Sequence, residues 1–168
     1  MKTFKYSFIA RLVYRYANIP ANLILLFYLL ISILNISRDW KFIFPLVITI
    51  ILIYVLNRFY IRIYRTFPFR IEINNSKMIC SDFVIGNRII EIQHSDVVKI
   101  GGGIFSGRAY MPLYITTENL TIGISPHLKD YNKLLTIILT NVPKELYTSL
   151  LEDIKKIAFD NTPKNKKK

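Results

Sequence analysis

The chain has 168 residues, room for one modest domain or for a membrane anchor with a small domain attached. It carries 23 basic and 11 acidic residues, a net charge of +12, which suits anionic lipid headgroups or nucleic acid. One cysteine, Cys80, excludes an intramolecular disulfide and a thiolate metal cluster. Beside Met78 and Ile79 it reads as a small buried apolar side chain.

Residues 1–18 form a basic amphipathic segment. Phe4, Phe8 and Leu12 are spaced by four with Lys2, Lys5, Arg11 and Arg15 interleaved, the pattern of a short interfacial helix. Residues 19–36 carry no charge and reach about 27 Å as a helix, near the thickness of a hydrocarbon core. Pro20 stands at the expected helix start, where a missing N–H costs little. A second uncharged run, residues 42–57, extends to residue 61 when Arg58 and Arg62 snorkel toward the headgroups. Pro45 falls in its first turn. Between the runs, Ser37-Arg38-Asp39-Trp40-Lys41 is long enough only for a tight turn, so the two spans are antiparallel.

The expected anchor is therefore a transmembrane hairpin over residues 19–65, with spans near 19–36 and 42–61. The first run is too long for a signal peptide and lacks a small-x-small cleavage site. Neither run has the polar face, at a period of 3.6, of a soluble amphipathic helix.

Flanking charge sets the orientation. Lys2, Lys5, Arg11 and Arg15 precede the first span, and Arg58, Arg62, Arg65 and Arg70 follow the second without an acid until Glu72. The positive-inside bias predicts that both termini are cytoplasmic, in a multi-pass protein of the plasma (inner) membrane. Trp40 marks the outer interface. Arg58, Arg62 and Arg65 share one helical face by their i, i+4, i+7 spacing. With Arg70 and Trp40 they are the candidate lipid-headgroup and interface residues, each cation contributing about 1 kcal/mol beside an anionic leaflet.

After residue 67 the pattern changes to short strands. Phe69, Ile71 and Ile73 alternate with Arg70 and Glu72, and Asn74-Asn75-Ser76 is turn chemistry. Further strands are expected through Met78-Ile79-Cys80 toward Val84, Arg88 to Ile92, and Val97 to Ile100, the last ended by Gly101-Gly102-Gly103. Leu113 to Thr117 and Leu120 to Ile124 follow, joined at Glu118-Asn119. Ser125 and Pro126 then suit the cap and first turn of a helix over residues 126–140. A second amphipathic helix covers residues 143–160, and residues 161–168 are a basic tail expected to be disordered. The fold class is α+β: a two-helix hairpin, then a β domain over residues 67–142 built as a small antiparallel sheet or barrel with a C-terminal capping helix.

A basic two-span hairpin, Phe69-Arg70-Ile71, the Val84-Ile85-Gly86-Asn87-Arg88 turn, Ser95-Asp96-Val97 and the Ile124-Ser125-Pro126 step resemble the bacterial pleckstrin-homology-like membrane proteins. The resemblance spans roughly residues 20–140 and rests on loose motifs. It implies a curved sheet of near seven strands plugged by a helix. The chain departs from the eukaryotic phosphoinositide binders in two places. Its first hairpin loop is Asn74-Asn75-Ser76-Lys77 rather than a basic cluster, and its only tryptophan is Trp40.

Catalytic patterns are scarce. Gly101, Gly103 and Gly107 only approximate a dinucleotide fingerprint, and no helix start follows to receive a phosphate. His94-Ser95-Asp96 has triad residue types, but neighbouring side chains on an extended segment diverge. His94 and His127 are too few for a catalytic zinc site. Asp82, Glu91, Asp96 and Glu118 meet only if the fold brings them together. No cofactor, metal or catalytic residue is assigned, and nucleic acid is not an expected partner, since the basic excess sits beside the spans and in the tail.

The expected function is a membrane-anchored, non-catalytic module that offers a docking, assembly or regulatory surface at the inner leaflet. Its partners are the anionic leaflet and a membrane or cytoplasmic protein. Phe105, Arg108 and Tyr110, on the glycine-rich loop over residues 101–110, are the candidate partner-binding residues. The alternative is an enzyme or enzyme subunit acting on lipid-borne, phosphate-bearing substrates, held by the interfacial arginines.

Overall fold

A computed structural model describes residues 1–160, with side chains through residue 157. The expected tail over residues 161–168 lies outside the described residues. The elements in order are β1 (Lys2–Lys5), α1 (Phe8–Tyr16), α2 (Asn18–Ile36), a 3-10 turn (Trp40–Phe42), and α3 (Ile43–Thr66). There follow β2 (Arg70–Ile73), β3 (Lys77–Ser81), β4 (Ile90–Gln93), β5 (Lys99–Gly102), β6 (Leu113–Thr116), β7 (Thr121–Ile124), α4 (Tyr131–Asn141) and α5 (Lys144–Asp160). The chain divides into a helical unit, Phe8–Arg65, and a strand-rich unit made of Met1–Ser7 with the residues from Thr66 onward.

In the helical unit, α1 and α2 are nearly continuous, separated by Ala17 alone, whose backbone stays helical and whose N–H donates to the Val13 carbonyl at 3.0 Å. Pro20 explains the irregularity. It has no N–H to offer the Tyr16 carbonyl, so the ladder is interrupted one turn upstream. Helical backbone thus begins well before Pro20, at Phe8. The turn into α3 is capped by Asp39, whose carboxylate accepts from the Lys41 N–H at 3.0 Å.

The strand-rich unit corrects the reading of the N-terminal segment. Residues 2–5 are a strand, not the start of an interfacial helix, and β1 pairs antiparallel with β2 so that Phe4 faces Ile71 and Lys5 faces Arg70. Spacings of four fit a helix through Phe4, Phe8 and Leu12, but Phe4 and Tyr6 also alternate with Thr3 and Lys5 at the period of a strand. The open edge of β2 decides between the two. Phe4 and Tyr6 become buried, and the Tyr6 hydroxyl accepts from the Ser125 N–H at 3.0 Å.

Two antiparallel sheets result, one ordered β1-β2-β3-β4 and the other β5-β6-β7. Among the described residues no strand pairing joins them, so the expected single sheet or barrel is replaced by two small sheets. Ile71, Ile73, Met78 and Cys80 from the first sheet are almost completely buried, as are Leu113, Ile115, Ile122 and Ile124 from the second and Leu134 and Ile138 from α4. Alternate residues such as Arg70 and Glu91 face outward. The turn between β2 and β3 is held by Asn74, whose side-chain oxygen accepts from the N–H groups of Ser76 at 2.9 Å and Lys77 at 2.7 Å.

Other boundaries move as well: the strand expected toward Val84 ends at Ser81, and the one expected from Arg88 starts at Ile90. The glycines at 101 and 102 lie inside β5 rather than ending it. The helix expected from Pro126 starts at Tyr131, because the preceding backbone serves β1 instead. Lys129 donates to the Lys5 carbonyl at 3.2 Å and Leu128 bridges to Tyr6, which occupies part of the outer edge of β1.

Candidate functional site

Taken by itself, the helical unit has an inverted polarity pattern. Phe8–Ile36 and Trp40–Thr66 are both long and apolar enough to cross a membrane, and only 6% of the most apolar window in each is buried. Leu23, Ile24, Phe27, Phe44, Ile48 and Val55 all point outward. Ser32 and Thr49 are buried. An apolar surface around a seam of leucines and isoleucines that also holds polar side chains suits lipid as solvent, where the hydrophobic effect does not hold helices together and polar contacts contribute.

Shielded positions on α2 are Asn18, Ala21, Asn22, Leu25, Leu29, Ile31, Ser32, Asn35 and Ile36; on α3 they are Leu46, Thr49, Ile53, Leu56, Asn57, Tyr60, Ile63, Tyr64 and Thr66. Rows spaced by three and four residues put one face of each helix against the other. Near one end three amides converge. Asn57 Nδ2 donates to Asn22 Oδ1 at 2.7 Å, Asn22 Nδ2 reaches Asn18 Oδ1 at 2.7 Å, and Asn18 Nδ2 reaches Asn57 Oδ1 at 3.2 Å. One turn beyond, the Tyr64 hydroxyl donates to the Arg15 carbonyl at 3.0 Å. The sequence offers these asparagines openly, at i and i+4 on one run and near the end of the other. Only the antiparallel pairing shows that they meet.

The candidate interface residues divide between the two units. Arg58, Arg62 and Arg65 are exposed on the last turns of α3, and Arg58 Nη1 donates to the Tyr54 hydroxyl at 3.0 Å. Trp40 opens the turn, exposed, with its ring 6.0 Å from that of Phe44. Arg70 belongs to β2, outside the helix, and is ion-paired with Glu72.

On the glycine-rich loop the three candidates also separate. Phe105 is only 8% exposed and lies in a short 3-10 turn, so its ring belongs to the interior. Arg108 and Tyr110 are exposed, Tyr110 at 73%. The outward surface of this loop includes Ile104, Ser106, Arg108, Ala109, Tyr110 and Met111.

Of the four acids, Glu91, Asp96 and Glu118 line one groove of about 450 Å³ with Ser95 and Asn119. Lys77 Nζ reaches Glu91 at 2.9 Å. Among the described residues no three of His, Cys, Asp and Glu are placed to hold a metal ion. His94 is buried with Nε2 2.9 Å from the Asn74 carbonyl, while Ser95 turns to Asp96, so no triad assembles there. A Ser–His contact does exist between Ser125 Oγ and His127 Nδ1 at 3.0 Å, but Ser125 is 1% exposed and the contact closes a local turn.

Comparison with known proteins finds no matching family model, no matching curated protein and no matching solved structure.

Proposed function

We propose that this chain is an integral membrane protein whose strand-rich domain lies on the cytoplasmic side and serves as a docking or regulatory surface at the inner leaflet. The observation that supports it is the antiparallel pairing of β1 with β2. Residues on either side of the helical hairpin complete one sheet, so a hairpin in a bilayer must return to the side it left. The flanking arginines and lysines choose the cytoplasmic side. We read the strand-rich domain as pleckstrin-homology-like on the sequence resemblance, which its antiparallel strands followed by a helix accommodate. Its docking surface centres on the exposed Arg108 and Tyr110, presented on a loop between β5 and β6.

Cysteine accessibility tests the topology. Ser37→Cys, in the turn, reacts with an impermeant maleimide in intact cells. Asn75→Cys, in the β2–β3 turn, reacts only in inverted vesicles, and buried Cys80 stays silent in both. Labelling of Asn75→Cys from outside would refute the assignment. For docking, site-specific crosslinking from Tyr110 identifies a partner, and loss of that crosslink in Arg108→Ala supports the surface. Release of lipid headgroups by the purified protein would point to an enzyme instead.

A further inference from the structure

The loop between β3 and β4, residues 82–89, leaves hydrophobic side chains in the open. Ile89 is 75% exposed and Ile85 43% exposed, and Arg88 stands over the Phe83 ring at 4.7 Å. Phe83 is buried, so the loop is rooted in the core while its tip is apolar and basic. Large exposed isoleucines gain nothing from water.

The position of this loop in the sheet is informative. Lys5, Arg70 and Ser81 stand in one row across β1, β2 and β3. That row marks the end of the sheet where β1 runs out toward α1 and where β2 enters from α3. Only Tyr6 and Ser7 separate Lys5 from the first residue of α1, and three residues separate Thr66 from Arg70. Reaches of about 10 to 14 Å follow from the length of an extended chain. The loop after Ser81 leaves from this same end. The apolar face of α1, formed by Phe8, Ile9, Leu12 and Val13, is exposed down to the first helical residue.

We infer that residues 82–89 form a second, reversible membrane contact, with Ile85 and Ile89 entering an anionic leaflet and Arg88 at the headgroups. The inference rests on the membrane-anchored reading above. Two inserted apolar side chains with one cation give weak binding alone, and the spans make the event intramolecular, so a weak contact is enough to orient the domain.

The test uses the full chain in vesicles of phosphatidylcholine with phosphatidylglycerol, carrying an environment-sensitive dye at Ile89→Cys, Ile85→Cys, Glu118→Cys or, as a span control, Leu52→Cys. Native Cys80 is retained, since burial keeps it from labelling. Brominated lipids are expected to quench the dye at positions 85, 89 and 52 and to leave position 118 bright. Quenching at 85 and 89 should fall in Arg88→Gln and in vesicles without phosphatidylglycerol. Quenching at 52 with none at 85 and 89 overturns the loop contact and leaves the anchor standing. No quenching at 52 overturns the anchor, and the loop proposal falls with it.

Discussion

Phe4 stands directly opposite Ile71 in the antiparallel register of β1 and β2, although the whole helical hairpin lies between them in the chain. The pairing makes the hairpin an insertion into a domain rather than a leader in front of one. It also means that the first sheet cannot be completed until both helices have been made.

Phe4 is 6% exposed and Phe8 80% exposed. Phe4→Ala should destabilise the strand-rich unit by about 3 kcal/mol, the low end for a buried phenylalanine. Phe8→Ala should stay within about 0.5 kcal/mol, as for an exposed site. Urea titration in mild detergent, followed by protease resistance, compares the two. Equal effects would restore the continuous interfacial helix.

The amide cluster of Asn18, Asn22 and Asn57 links the two long helices. Asn57→Leu should cost about 1 kcal/mol, and a cycle with Asn22→Leu should show a coupling of about 0.6 kcal/mol, the average for interhelical hydrogen bonds in bilayers. Ser32→Ala should be nearly silent, because Ser32 Oγ donates to the Tyr28 carbonyl of its own helix. Unfolding in mixed micelles of increasing dodecyl sulfate content measures all three.

Burial pushes the Cys80 thiol up from about 9 to about 12. The folded state therefore keeps its proton where the unfolded chain has lost it. This contribution is complete below about pH 9 and declines as pH rises from there toward 12, by at most about 1.4 kcal/mol per pH unit. Cys80→Ala should flatten that part of the alkaline stability profile. Tyr131, also raised by burial, leaves a residual slope. A profile unchanged by Cys80→Ala would contradict the assignment.

A Cβ on Gly123 would sit 2.6 Å from Cε2 of Phe67. Phe67 is buried, with its ring edge-on to Tyr114 at 6.3 Å, so it has little room to give way. Gly123→Ala should cost about 1–3 kcal/mol, as overpacking does. Phe67→Leu in the same chain should recover part of the loss, visible as a rise in Tm over the single variant.

Long uncharged runs announce their solvent without reference to any partner, so residues 19–36 and 42–57 were legible as parts of helices able to cross a membrane. The alternation around Ile71, Ile73, Met78 and Cys80 likewise fixes which side chains face a core, because a strand's period is local. Turn chemistry at Asn74 and Glu118 is equally local.

Long-range pairing is different. Whether Phe4 belongs to a helix or a strand depends on the open edge of β2, and the start of α4 depends on backbone that β1 takes up at Lys129. The meeting of Asn22 with Asn57, the burial of Phe105 and the splitting of one expected sheet into two have the same origin. Each is settled by a neighbour far away in sequence, and a periodic pattern carries no information about distant neighbours.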